Sequence, residues 1–488
     1  MKAYRNLNLQ YINGEWKESL NTTSKIDNIN PYSEEKIHTI KGATKTEVDE
    51  AFSAAANAST TWSKTLPQER SEVLHRLTHS MQNRKDEIID WLIKESGSTF
   101  TKATIEFDTC INIIKESSSF PLRSHGFIFN SGTPGKESRV YRKPLGVIGI
   151  ISPWNFPLHL SMRSIAPAIA LGNTVVIKPA SQTPVTGATL LAKLLEEAEL
   201  PKGVFNVVIG KGSDIGDYFV QHPIPKLISF TGSTPIGKNI GKLAGEALKR
   251  VSLELGGNNV FIVMKDANID EAVAAAIFGK FMHQGQICMS INRLVIHEEI
   301  ADEFVSKFTK KVNKLKVGDP SDKEVTIGPL INSDQVARIQ KDIEASKKAG
   351  AKVLLGGNAK GALLEATILD HVTDDMPIAE NEIFGPVAPI IRFKTEEEAL
   401  KIANSKNFGL SGALHTKNIE KGTAFARNVE TGMIHINDQT VNDEANAPFG
   451  GEKGSGLGRF NGDFVLEEFT RLQWVTLQHK KRNYSPFA

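Results

Sequence analysis

Residues 146–178 read GVIGIISPWNFPLHLSMRSIAPAIALGNTVVIK, and their pattern decides the fold class. GVIGIIS and TVVIK are short, continuous, β-prone apolar runs, whereas PLHLSMRSIAPAIALG between them carries its apolar residues at helical spacing. A strand, a helix and a strand in that order make a crossover unit, whose two strands run parallel and are buried on both faces. The alternation continues outward through PVTGATLLAKLLEEAEL as a helix, VFNVVIG as a strand, a short helix near SDIGDYFVQH, and KLISF as a strand. It predicts an α/β protein with a doubly wound parallel sheet.

On the N-terminal side, YINGEW is a hairpin signal through Asn13-Gly14, and KTEVDEAFSAAANASTTW suits an amphipathic helix, with helical pattern continuing to about Lys94. On the C-terminal side, a second α/β region begins near VSLELGG at 251–257. NVFIVM, RLVIHEE and APIIRF read as its strands, and the stretches around NIDEAVAAAIFGKFMHQ, SDQVARIQKDIEASKKAG and EEEALKIANS as helices, before MIHIND. The glycines of APFGGEKGSGLG, 447–458, predict a flexible loop. Residues 124–143 and the tail from Thr470 fit neither sheet; they are polar and β-prone, as an arm or a solvated hairpin would be.

The bulk properties limit the function. A chain of 488 residues exceeds one core and predicts two or three domains. With 58 Lys plus Arg against 56 Asp plus Glu, the net charge of +2 argues against nucleic acid or an anionic membrane as partner and for a small molecule. The start MKAYRNLNLQYINGEW lacks an apolar signal core, and no run reaches the ~18 apolar residues of a membrane span. Two cysteines, Cys110 and Cys288, form at most one disulfide, which suits a reducing cytoplasm. The 12 histidines are scattered with no zinc-like spacing to cysteine, so no metal is expected.

Ligands of parallel sheets sit beyond the carboxyl ends of the strands. PWNF follows GVIGIIS, PASQTP follows TVVIK, and TGSTPIG follows KLISF. Thr231, Gly232 and Ser233 form a turn into a helix whose N–H groups would favour a phosphate, and Gly237 would allow close packing or ligand approach. Taken alone, most Thr-Gly-Ser turns merely cap a helix, and no G-x-G-x-x-G follows a strand. Cys288, in HQGQICMS at 283–290, is either a nucleophile or a buried structural thiol.

Six stretches bear on that choice together: PWNFP at 153–157, KPA at 178–180, FTGSTPIG at 230–237, LELGG at 253–257, GQIC at 285–288 and EIFGPV at 382–387. They resemble the signatures of the aldehyde dehydrogenase superfamily, in the family's order and across nearly the whole chain. The resemblance implies the aldehyde dehydrogenase fold: a Rossmann-like cofactor domain (1–123 and 144–254), an α/β catalytic domain (255–469) and a small β oligomerisation arm (124–143 and 470–488), in a homodimer or homotetramer. It implies Cys288 as nucleophile, Asn155 and the Cys288 N–H as oxyanion donors, and Glu254 as the base that activates water; Cys110 stays structural. For NAD or NADP it implies Lys178 at the adenine-side ribose, Glu382 at the nicotinamide-side ribose, Phe384 against the nicotinamide and Ser233 at the pyrophosphate, with Trp154, Gly232 and Gly237 also among the cofactor-binding residues. Where relatives that prefer NAD often carry a carboxylate, this chain has Ser181, so NADP tolerance is expected.

The resemblance also aligns Phe156, His159, Leu160, Arg163, Met282, Ile287, Met289 and Phe449 with the aldehyde tunnel. Aromatic and sulfur-bearing walls suit a flat apolar aldehyde. HQGQICMSINR and HINDQTVNDE further resemble the benzaldehyde and vanillin dehydrogenase branch. The rival readings are an aliphatic or amino aldehyde, transfer of the acyl group to coenzyme A, and a non-catalytic structural or binding descendant. Glu254 counts against the second, and the presence of all three catalytic residues against the third.

Overall fold

The computed structural model describes residues 2–486. Its first sheet holds five parallel strands in the spatial order Phe205–Val207, Thr174–Lys178, Val147–Ile151, Leu227–Thr231, Arg250–Glu254. Every residue of Val147–Ile151, Thr174–Lys178 and Leu227–Thr231 is buried, which explains their unbroken apolar runs. The helix Pro157–Ala170 crosses between two of them and is itself wholly buried. At one edge the hairpin Gln10–Ile12/Glu15–Lys17 joins through Tyr11 and Val207, its turn made by Asn13 and Gly14 at φ 54° and 75°. Helix Lys45–Trp62 opens with a reciprocal cap between Thr44 and Glu47.

The second sheet runs Lys352–Leu355, Thr367–Asp370, Val387–Phe393, Ile291–His297, Asn259–Val263, Gly412–His415, His435–Ile436, parallel except for its first strand. A separate three-stranded antiparallel sheet pairs Thr470–Gln478 with Lys136–Pro144, and that strand with Phe127–Phe129.

Four features differ from the sequence reading. Helical structure does not stop near Lys94: a 24-residue helix, Phe100–Arg123, follows. Its buried face includes Lys102, Glu106, Ser117 and Ser118, so no clean apolar stripe marks it. VSLELGG closes the first sheet rather than opening the second, because Arg250–Glu254 pairs with Leu227–Thr231 in full register. The glycine-rich stretch 447–458 is ordered: Gly456 and Leu457 pair antiparallel with Glu254 and Leu253. Finally, Phe449, Phe460, Val465, Leu466 and Phe469 belong to the core around the first sheet, although the expected boundaries put them with the second.

Candidate active site

The carboxyl ends of the first sheet open on a cavity of about 470 Å³. Its wall includes Trp154 and Asn155 after Val147–Ile151, Gly232 and Ser233 after Leu227–Thr231, and Glu254 to Gly256 after Arg250–Glu254, with Cys288, Glu382 and Phe384 opposite. A second cavity of about 210 Å³ lies beyond it, and Asn155, Leu160 and Cys288 line both. Phe156, His159, Arg163, Met282, Ile287, Met289 and Phe449 all line the second one. Sequence reasoning missed several of its walls: Ile105 and Thr109 on the unrecognised helix, Phe278, and the run Val441 to Glu444.

The loop carrying Cys288 has an unusual backbone. His283, Gln284 and Gly285 sit consecutively at φ 47°, 55° and 72°, in the left-handed region. A Cβ on Gly285 would lie 2.3 Å from the Gly385 carbonyl oxygen. Side chains from distant elements hold this shape. Gln284 Nε2 donates to the carbonyls of Pro329 (2.8 Å) and Gly97 (3.2 Å), and Asn259 Nδ2 donates to those of Cys288 and Ser290, both at 2.8 Å. The glycines of LELGG make room: a Cβ on Gly257 would sit 2.4 Å from the Cys288 carbonyl oxygen, and one on Gly256 2.5 Å from Glu382 Oε2.

Asn155 is positioned by a buried ion pair that the sequence reading did not contain. Lys102 Nζ donates to the Asn155 carbonyl at 2.7 Å and pairs with Glu106, whose Oε1 accepts from the Leu158 and His159 N–H groups at the start of helix Pro157–Ala170. The i, i+4 spacing of a lysine and a glutamate was the available signal, but that spacing is normally a solvated pair. Asn155 Nδ2 donates to the Gln286 carbonyl at 2.9 Å, tying it to the cysteine loop.

Glu254 ends its strand fully buried, with Oε2 at 3.3 Å from Arg163 Nη2 and no partner on Oε1. Burial raises its pKa; Arg163 opposes the rise and Asp443 adds to it. Burial also pushes the Cys288 thiol well above its ordinary value, with the Glu254 carboxylate adding to the push. The thiol therefore needs a proton acceptor to react, and Glu254 is the adjacent carboxylate. Cys110 is buried in the core and lines neither cavity.

The larger cavity fits a nicotinamide dinucleotide. Helix Thr234–Glu246 starts on its wall with no side-chain cap from Ser233, leaving first-turn N–H groups for a phosphate. Across from it, Glu382 is held by the Gly257 N–H at 3.0 Å, and burial raises its pKa to about 7. Phe384 stands edge-on to Trp154 at 5.4 Å. Three residues expected at the cofactor lie off this wall. Gly237 packs against Leu255, which a Cβ would meet at 2.3 Å, so it serves helix packing. Lys178 Nζ donates to the carbonyls of Pro179 and Gly210, and burial lowers its pKa to about 8. Ser181 lines a neighbouring hollow with Lys211.

Among the described residues no helix is long and apolar enough to cross a membrane, and no group of three or more His, Cys, Asp or Glu is placed to hold a metal. Residues 16–475 match the family described as the Aldehyde dehydrogenase family. The chain is 49% identical over 484 residues to Benzaldehyde dehydrogenase YfmT of Bacillus subtilis, covering 99% of this chain and 100% of that one. It is 50% identical over 469 residues to a vanillin dehydrogenase of Corynebacterium glutamicum, covering 96% and 97%. The crystal structure of a NAD-dependent benzaldehyde dehydrogenase from Corynebacterium glutamicum superposes with a TM-score of 0.90 at 46% identity, over 98% of this chain and 100% of that one.

Proposed function

The chain belongs to the aldehyde dehydrogenase family, and from that premise we propose that it oxidises an aromatic aldehyde to the carboxylic acid with NAD, and accepts NADP as well. The observation that carries the reading is the position of Cys288 and Asn155 on the shared wall of two cavities, one fitted to a dinucleotide and the other lined by aromatic and sulfur-bearing side chains. The substrate enters the smaller cavity, between Phe156, Phe449, Met282 and Met289. NADP acceptance is supported by the neutral Ser181, which lines the neighbouring hollow with Lys211 rather than the cavity wall and offers no negative charge to a 2′-phosphate extending there.

The bound dinucleotide supplies the hydride acceptor. Cys288 gives its thiol proton to Glu254, and Sγ bonds to the aldehyde carbon. The Asn155 amide and the Cys288 N–H hold the oxygen that becomes negative; such a donor strengthens as charge develops and is worth roughly 3 kcal/mol of barrier. Once the tetrahedral carbon has lost its hydride, Cys288 carries a thioester. Glu254, after returning its first proton to solvent, takes one from water as that water bonds to the thioester carbon. The C–S bond then breaks, the acid leaves and Cys288 is a thiol again after protonation.

The arm is the proposed contact between copies of the chain, with residues 124–143 and 470–488 as oligomerisation arm, 1–123 and 144–254 as cofactor domain, and 255–469 as catalytic domain, whose last stretch from Phe449 packs into the core of the first sheet; Met1, Phe487 and Ala488 lie outside the described residues. Phe127, Ile128, Phe129, Leu472 and Trp474 on it are exposed. The test of function is the absorbance of reduced nicotinamide with benzaldehyde, vanillin, acetaldehyde and betaine aldehyde, each with NAD and with NADP. Fastest reduction with the aromatic pair is expected; fastest reduction with acetaldehyde or betaine aldehyde would sink the substrate class.

A further inference from the structure

Arg163 is a fully buried cation with unusually loose contacts. Its Nη2 lies 3.3 Å from Glu254 Oε2, its Nη1 lies 3.4 Å from Asp443 Oδ2, and Nε has no partner. The rings of Phe449 and Phe460, 4.3 and 4.7 Å from the guanidinium carbon, limit its movement. Both ionic contacts exceed the roughly 2.8 Å of a tight guanidinium–carboxylate bond. The cation is thus shared between two carboxylates.

The two carboxylates differ in how they are held. Asp443 is committed: Oδ2 accepts from His159 Nε2 at 2.8 Å and Oδ1 from Asn461 Nδ2 at 2.7 Å. Those partners and Arg163 outweigh burial and keep its pKa low, so it is an anion. Glu254 has Arg163 on Oε2 and the Cys288 thiol beside its carboxylate, and Oε1 is left without a hydrogen-bond partner. We propose that Asp443 is a positioning residue for the reaction: anchored by His159 and Asn461, it draws Arg163 off Glu254 and leaves that carboxylate free to take the proton of the attacking water.

The inference rests on the reading of Glu254 as general base. An arginine committed to Glu254 would weaken it as a base and fix it in place. With no arginine, two buried carboxylates would face each other with no cation between them. The other charged or titratable groups facing Glu254 are the Cys288 thiol and Glu382. A change at Asp443 reaches Glu254 through Arg163 and directly by charge.

The experiment follows the thioester on Cys288 by acid quench and intact mass during turnover of benzaldehyde with NAD, from acid to neutral pH, with KM recorded separately because Asp443 also lines the substrate cavity. In Asp443→Asn the apparent pKa of thioester hydrolysis is expected to fall by about one pH unit and its plateau rate by about tenfold, so that acyl-enzyme accumulates. Asp443→Glu keeps the charge and should recover the pKa in part. Arg163→Gln should move the pKa in the opposite direction, upward, and this keeps the idea testable even if Asp443→Asn does not fold. A pKa unmoved in Arg163→Gln, or unmoved in a folded Asp443→Asn, overturns the proposal. Glu254→Gln separates it from its premise: if that variant hydrolyses the thioester normally, the general-base reading fails, whatever Asp443 does.

Discussion

Beyond the carboxyl ends of the first sheet lies a cavity of about 470 Å³, and beyond those of the second sheet one of about 550 Å³, lined by Met264, His297, Lys394 and Thr416 at its four strand ends. Helices begin at both, so by topology either edge would suit an anionic ligand. They differ in whether the helix donors are already used. At the second edge, His297, Thr395 and Asn418 accept from the N–H groups of Glu299, Glu398 and Lys421, capping the three helices that start there. The Asp266 carboxylate also accepts from Thr416 Oγ1 and from the N–H groups of Lys417 and Asn418. At the first edge, helix Thr234–Glu246 has no side-chain cap. A helix start is a phosphate site only where its donors are left free.

The sharpest way to break this comparison is at Cys288. Cys288→Ala should lower aldehyde turnover on the order of 10⁴-fold or more. Calorimetry on the same variant should still find one equivalent of NAD per chain; two equivalents would mean that the second edge binds as well. Asn155→Ala comes next, with a loss of about 10² to 10³-fold in kcat and little change in NAD affinity. A variant with unchanged kcat would remove Asn155 from the oxyanion role.

The pH profile gives a smaller effect. In the role proposed for it Glu254 acts as a base only when ionised, and burial raises its pKa. It therefore protonates sooner than a free carboxylate as pH falls, and the acid limb of kcat should have its midpoint above the ordinary ~4.3. A midpoint at or below that value contradicts the buried-base geometry. The smallest effects belong to the second edge. Thr395→Ala and Asn418→Ala should each cost about 1 kcal/mol of stability in denaturant unfolding and leave turnover unchanged, since they remove caps and no ligand contact. A fall in turnover would show that the second edge takes part after all.

What could be read from the chain follows the range of the interactions. GVIGIIS and TVVIK are buried throughout because parallel strands bury both faces, and that leaves a continuous apolar run. Phe156, His159, Met282 and Phe449 line one cavity and lie within or beside recognisable motifs. Helix Phe100–Arg123 was hidden because Lys102 and Glu106 pair inside the core, a partnership that composition cannot signal.

The chain by itself determined the fold class, the strand-to-turn positions of Asn155, Ser233 and Glu254, and the small residues beside Cys288, because each is a demand on local backbone or on a short run of side chains. Only the tertiary structure decided the uncapped helix start facing Glu382, the Lys102 hold on Asn155, and the division of Arg163 between Glu254 and Asp443, 91 and 280 residues away in the chain. Those are long-range electrostatic choices among buried groups. Their sign and strength depend on which charges share a cavity, and that is fixed by packing.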